Sequence, residues 1–194
     1  MLILQLEYFY GFLRTVCYSN VKEVDKCNAA YIDEISAFGC KKFLAIGSAG
    51  VLDKKIQVGK LMIPESAVRD EGTSYHYAPP SRKIHMDKPV VDAIEAYLTE
   101  NKIPLIKDKT WTTDAFYRET VKKYELRKSE GCISVEMECS SFIAAARYND
   151  VIFGQALYGG DCLDGAEWDM RESHSREGNI LWLLEHAMKI VQKF

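Results

Sequence analysis

Phe43-Leu44-Ala45-Ile46-Gly47-Ser48-Ala49-Gly50 is the stretch on which the fold class turns. Four apolar residues in a row are too few for a buried helix, and the small residues behind them make an immediate exit. Such a run reads as a strand covered on both faces. Working outward, residues 13–18, 61–68 (interrupted by Pro64), 104–111, 132–135 and 151–158 give further strand-like runs. Helical patterns fall between them. Val24, Cys27, Tyr31, Ile35 and Phe38 recur at helical spacing, behind an Asn20 cap with Glu23 three residues on and ahead of Gly39. Pro89, Val90, Ile94, Tyr97 and Leu98 mark a second helix, 117–128 a charged third and 137–148 a small-residue fourth. The last, 177–193, carries Ile180, Leu181, Leu184, Met188 and Val191 on one face. Residues 69–85, with Pro79-Pro80, read as irregular. This alternation predicts an α/β fold: a three-layer sandwich with a mixed, largely parallel central sheet and helices on both faces. No repeat, low-complexity tract or linker divides the chain, so residues 1–194 read as one domain.

The 194 residues carry 25 Lys plus Arg against 28 Asp plus Glu, a formal net charge of −3, and are 47% hydrophobic and 27% charged. That is the balance of a soluble globular chain, which at this length buries roughly 70% of its unfolded surface. A mildly acidic total argues against nucleic-acid binding, which needs a cationic surplus to displace counterions. No apolar run approaches the roughly 20 residues that cross a bilayer. Residues 1–17 are broken by Gln5, Glu7 and Arg14 and lack the basic start of a signal peptide. The six cysteines form no C-x-x-C pair and sit mostly inside apolar runs. They read as buried hydrophobes of a reducing, cytoplasmic compartment, not as a disulfide frame or zinc site. Cys and His do not fall at metal-ligand spacing, so no metal is expected.

Ligands of such sheets sit where strands end and loops begin. The chemically interesting residues fall there: Gly47-Ser48-Ala49-Gly50, Thr112-Thr113-Asp114-Ala115-Phe116-Tyr117, Glu136-Met137-Glu138 and Gly159-Gly160-Asp161. Each alone has an ordinary structural reading. A small-residue turn is a strand exit, two acids opening a helix complement its dipole, and an Asp after two glycines is a turn or cap.

Together and in this order they are far more specific. "FLAIGSAGVL" (43–52), "RDEGTSYHY" (69–77), "TTDAFYRE" (112–119), "VEME" (135–138), "LYGGD" (157–161) and "EWDMR" (167–171) resemble, segment by segment, the nucleoside phosphorylase and uridine phosphorylase family. The resemblance implies cleavage of an N-glycosidic bond by phosphate attacking C1 of ribose, with phosphate as co-substrate and no cofactor. By the same resemblance Glu138 accepts hydrogen bonds from the ribose hydroxyls, Met137 packs on the sugar, and Glu136 lies near sugar or base. Phe116 stacks on the base with Tyr117 beside it, Asp161 supports a purine leaving group at N7, and Ser48 with Gly47 touches phosphate. Arg171 is a charged partner for Asp161, with Arg176 competing for that role. Members of the family are homo-oligomers, so a homodimer or larger assembly is expected. The aromatic residues Tyr8, Phe9, Tyr10 and Phe12 are expected in the core or against a partner.

Three departures concern phosphate. The chain starts later than the family's first strand and glycine-rich phosphate loop. The positions of a glycine turn before the first helix hold Asn20-Val21-Lys22-Glu23, and an arginine three positions ahead of the serine is Ala45. Losing two or three charge-assisted contacts weakens an anion site by about a thousandfold. Lys22, Arg14 and Arg69 are conceivable replacements. Three functions therefore compete: a phosphorylase, a phosphate-independent nucleosidase, and a catalytically impaired nucleoside-binding relative. Asp161 and the lack of a Gln after Phe116-Tyr117-Arg118 favour a purine over uridine.

Overall fold

The computed structural model describes residues 2–5, 7–9, 12–14, 19–20, 28–56, 60–164, 169 and 176–194, with side chains for 29–56, 60–164, 169 and 182–194. The chain runs β1 (Leu2–Gln5), β2 (Glu7–Phe9), β3 (Phe12–Arg14), β4 (Ser19–Asn20), α1 (Asn28–Ala37), β5 (Lys42–Val51) and β6 (Leu61–Asp70). A 3₁₀ turn (Thr73–His76), β7 (Lys83–His85), α2 (Lys88–Glu100) and β8 (Leu105–Thr113) follow. A second 3₁₀ turn (Phe116–Arg118), α3 (Val121–Ser129), β9 (Ser134–Glu136), α4 (Cys139–Tyr148), β10 (Ile152–Cys162) and α5 (Arg176–Ile190) complete it.

Local chemistry explains the helices. Pro89 opens α2, where its missing N–H costs nothing, and Val90, Val91, Ile94, Tyr97 and Leu98 form its buried face. Gly39 and Gly131, at φ +98° and +85°, follow α1 and α3 in the left-handed conformation that ends a helix without a Cβ penalty. Residues 15–18 and 21–27, expected as strand and first helical turns, and the side chains of Tyr8, Phe9, Tyr10 and Phe12 lie outside the described residues.

The mixed α/β character holds, but the sheet corrects the expected sandwich. β5 pairs with β10, β10 with β6, β6 with β8, β8 with β9, and β9 again with β5, so five strands close a ring; β1 extends it from β5, β4 from β1, and β7 flanks β6. The β5–β10, β6–β8 and β8–β9 pairs are parallel, while β5–β9, β6–β10, β1–β5, β1–β4 and β6–β7 are antiparallel. The sheet is thus a mixed one closed into a barrel-like ring, with its longest pairings parallel, not the open middle layer of a sandwich. Strand bending gives the reason. β6 slips register between Pro64 and Ser66, and β10 between Gly159 and Cys162. An extra residue at such a bulge bends the strand and increases its twist.

The main core lies between the ring and α1, α2, α4 and α5, with Phe43, Leu44, Ile63, Ile94, Phe142 and Ile190 inaccessible to solvent. A second cluster joins Ala49, Val51, Met62, Leu157 and Cys162 from β5, β6 and β10. Cys40, Cys132, Cys139 and Cys162 are buried, as the sequence suggested. Burial pushes the Cys132 thiol up to about 12 and raises the Cys139 thiol well above the usual range, so both stay protonated and inert.

Candidate active site

Strand register brings the four candidate segments together. Gly47, Ser48 and Ala49 lie opposite Leu157, Tyr158 and Gly159 on the parallel neighbour. Ser48 also crowds the next residue: a Cβ added to Gly160 would stand 3.3 Å from the Ser48 Cβ. On the other edge of β5, Gly50 pairs with Val135, which delivers Glu136-Met137-Glu138 to the same place. Thr112 pairs with Glu136, so the residues after β8 arrive beside them. The result is a cavity of about 660 Å³, walled by Gly47, Ser48, Ala49 and Gly50 on one side and by Phe116, Tyr117 and Glu119 on another. Val135, Glu136, Met137, Glu138, Asp161 and Leu163 complete the lining.

Glu136 is the buried anchor of this wall. Its Oε1 accepts from Thr112 Oγ1 at 2.6 Å, and its Oε2 accepts the backbone N–H groups of Glu138 (2.8 Å) and Cys139 (2.6 Å). The Ser140 N–H donates to Thr112 Oγ1 at 3.1 Å. Two otherwise orphaned donors of the first turn of α4 are thereby satisfied. Burial and then the Glu138 charge push the Glu136 acid up, opposed by these same hydrogen bonds. Both oxygens of Glu136 are committed to scaffold, whereas Glu138, half-buried at the cavity wall, accepts the Met137 N–H on Oε2 at 3.3 Å.

Asp161 stands at the end of β10, held from both sides. Leu163 N–H donates to Val51 O at 3.0 Å. Asp164 accepts the Lys54 N–H at 3.0 Å, Tyr124 Oη at 2.8 Å and Lys128 Nζ at 3.2 Å. Those donors, the Lys54 amide first, hold the Asp164 carboxyl down at about 2. Gly50 leaves the room Asp161 needs, because a Cβ there would meet Leu163 Cδ1 at 2.8 Å, Val135 Cγ1 at 3.0 Å and Asp161 Oδ1 at 3.4 Å.

Phe116 and Tyr117 pack at 4.0 Å between ring centroids, Phe116 41% and Tyr117 89% exposed. The expected charged helix 117–128 divides into the 3₁₀ turn Phe116–Arg118 and α3, with extended Thr120 between them. Glu119, which received no role from sequence, lines the cavity. Burial, and then the charge of Asp161, push its acid up to about 7 against the pull of Lys123. Its spacing of three from Phe116 is the signal that could have found it.

Of the residues expected at the site, Gly47, Ser48, Phe116, Tyr117, Glu136, Met137, Glu138 and Asp161 all line this one cavity. Arg171 and the Arg176 side chain lie outside the described residues, as do Lys22 and the Arg14 side chain. Arg69 is excluded as a phosphate ligand, being only 2% exposed with its guanidinium spent elsewhere. It donates to Ser74 Oγ (2.8 Å), Pro79 O (2.7 Å), Ser81 Oγ (2.8 Å) and Ala78 O (3.3 Å) and stacks on Tyr75. Ala45 is fully buried in the main core. Among the described residues the cavity carries four carboxylic acids and no cationic side chain. Within the same residues no group of His, Cys, Asp and Glu could hold a metal, and no helix is long and apolar enough to cross a membrane.

A closed mixed sheet thus carries an acid-lined cavity at its strand ends. Residues 16–187 match the family model of the phosphorylase superfamily, and the chain belongs to that family. Guanosine phosphorylase of Halorubrum lacusprofundi is 25% identical over 119 residues, 61% of this chain and 49% of that protein. Uridine phosphorylase of Thermococcus kodakarensis is 32% identical over 93 residues, 46% of this chain and 32% of that protein. The crystal structure of purine nucleoside phosphorylase from Toxoplasma gondii shares the fold with a TM-score of 0.76 at 19% identity, covering 97% of this chain and 75% of that one. The chain spans about half the length, or less, of these curated relatives.

Proposed function

We propose that this protein cleaves the N-glycosidic bond of a purine nucleoside, phosphate attacking C1′ of the ribose to release the free base and ribose 1-phosphate. The observation that carries this reading is the meeting of Glu138, Phe116 and Asp161 at one cavity, although they come from distant parts of the chain. In the transition state the sugar becomes cationic and the base gains negative charge. Glu138 then accepts the ribose hydroxyls and lies close enough for its charge to favour the cation, with Met137 against the sugar face. Phe116 stacks on the base behind the exposed Tyr117. Asp161 faces the purine at N7, which uracil lacks, and supports the leaving base there as N7 gains a proton. Ser48, with the Gly47 backbone, contacts the nucleophile, and Arg171 balances the charge of Asp161. Glu136 acts through the backbone it caps, fixing where Glu138 points. The relatives named guanosine, uridine and purine nucleoside phosphorylase support a pentosyl transfer of this kind. A homodimer or larger assembly belongs to the same reading. The reaction takes no cofactor.

The test is base release from inosine, adenosine and uridine with and without phosphate. Release from the purines that depends on phosphate supports the reading. Release without phosphate assigns hydrolysis, and no release from any of the three removes the enzymatic reading.

A further inference from the structure

A departing purine needs a proton, and a carboxyl group gives one only if it holds one at the working pH. The cavity offers two acids near the base wall. Phe116 and Glu119 bracket a single 3₁₀ turn, closed by Arg118 N–H to Ala115 O (2.7 Å) and Glu119 N–H to Phe116 O (3.3 Å). Side chains three apart in such a turn eclipse one another. Phe116 and Glu119 both line the cavity, as does Tyr117, while Arg118 between them does not. Asp161 reaches the same cavity from β10, through the space that Gly50 leaves open.

Resting on the nucleoside reading above, we propose that Glu119 and Asp161 work as one carboxyl–carboxylate pair, in which Glu119 holds the proton that the leaving base takes up. As the C1′–N bond breaks, its electron pair goes to the base and the pair's proton moves to the ring nitrogen. Two carboxylates remain, and water returns one proton after the base departs. Two like charges in one site cannot both ionise easily, so the first proton is kept. Burial and the Asp161 charge leave Glu119 titrating at about 7, where an isolated glutamate would already be ionised. Among the described residues the charged groups facing Glu119 are Asp161 from β10, Lys123 from α3, which also binds Asp70 Oδ2 at 3.1 Å, and Glu136 with Glu138 across the cavity; Arg171, assigned above to Asp161, lies outside them.

The experiment compares inosine with N7-methylinosine, whose imidazole ring is already cationic and leaves without a proton. Glu119→Gln slows inosine cleavage by about a hundredfold and changes N7-methylinosine cleavage by less than about threefold. Asp161→Asn, by removing the charge that raises Glu119, moves the basic limb of the kcat/KM profile for inosine to lower pH. Equal slowing of both substrates by Glu119→Gln, equal rates on both, or an unmoved limb in Asp161→Asn overturns the pair while leaving the nucleoside reading intact. A wild-type protein that cleaves neither substrate overturns that reading and the pair with it.

Discussion

Glu136 and Cys139 meet through a 2.6 Å hydrogen bond, the backbone N–H of Cys139 donating to Glu136 Oε2. The residue that ends β9 thus caps the helix that follows it, and Glu138, held in the turn between them, inherits its direction from both. Glu136→Ala leaves the Cys139 and Glu138 amides and the Thr112 hydroxyl without that acceptor, at a cost of about 1–3 kcal/mol. Denaturant unfolding should show the loss as a lower midpoint with an unchanged slope.

Glu138 is the opposite case, a wall residue whose removal should spare the fold. Glu138→Ala should lower kcat/KM for a purine nucleoside on the order of a hundredfold, the worth of one to two charge-assisted hydrogen bonds. Its unfolding midpoint should stay near that of the wild type. Steady-state kinetics on both proteins checks this.

Gly50→Ala tests the close packing around Asp161. The new Cβ would stand 2.8 Å from Leu163 Cδ1 and 3.0 Å from Val135 Cγ1, so the Leu163 and Val135 side chains must give way beside Asp161. Overpacking of this sort costs about 1–3 kcal/mol at most. Nucleoside cleavage should fall along with stability, as the wall beside Asp161 repacks; denaturant unfolding and steady-state kinetics check both.

Stability should also depend on pH through a residue remote from the cavity. Asp108 is buried, with Ser134 Oγ donating to its Oδ2 while Oδ1 has no partner. Burial pushes its acid from 3.8 up to about 7. Between those values the unfolded chain binds fewer protons at this site than the folded one, so stability falls as pH rises through the window. Asp108→Asn cannot ionise and should lose less between pH 4 and pH 8 than the wild type. Chemical unfolding of both proteins at the two pH values measures the difference.

Much of this was legible in the sequence, and the rest was not for identifiable reasons. The runs at Phe43–Ile46 and 151–158 announced β5 and β10 because their neighbours in sequence are apolar on both faces. Gly159-Gly160 looked like a turn yet continues β10 to Cys162, since Gly159 still pairs with Ala49 and the bulge follows it. Closure of the ring depends on Gly50 meeting Val135, a pairing across more than eighty residues that no local pattern reports. The segment motifs marked the cavity wall almost completely. Glu119 escaped because the helix expected over 117–128 hid a 3₁₀ turn, whose three-residue period aims Glu119 alongside Phe116.

The most direct test is a crystal structure with inosine and phosphate soaked into the protein. The account predicts ribose hydroxyls on Glu138 and the purine ring against Phe116, with its N7 edge toward Asp161. A nucleoside bound elsewhere, or none at saturating concentration, would contradict it.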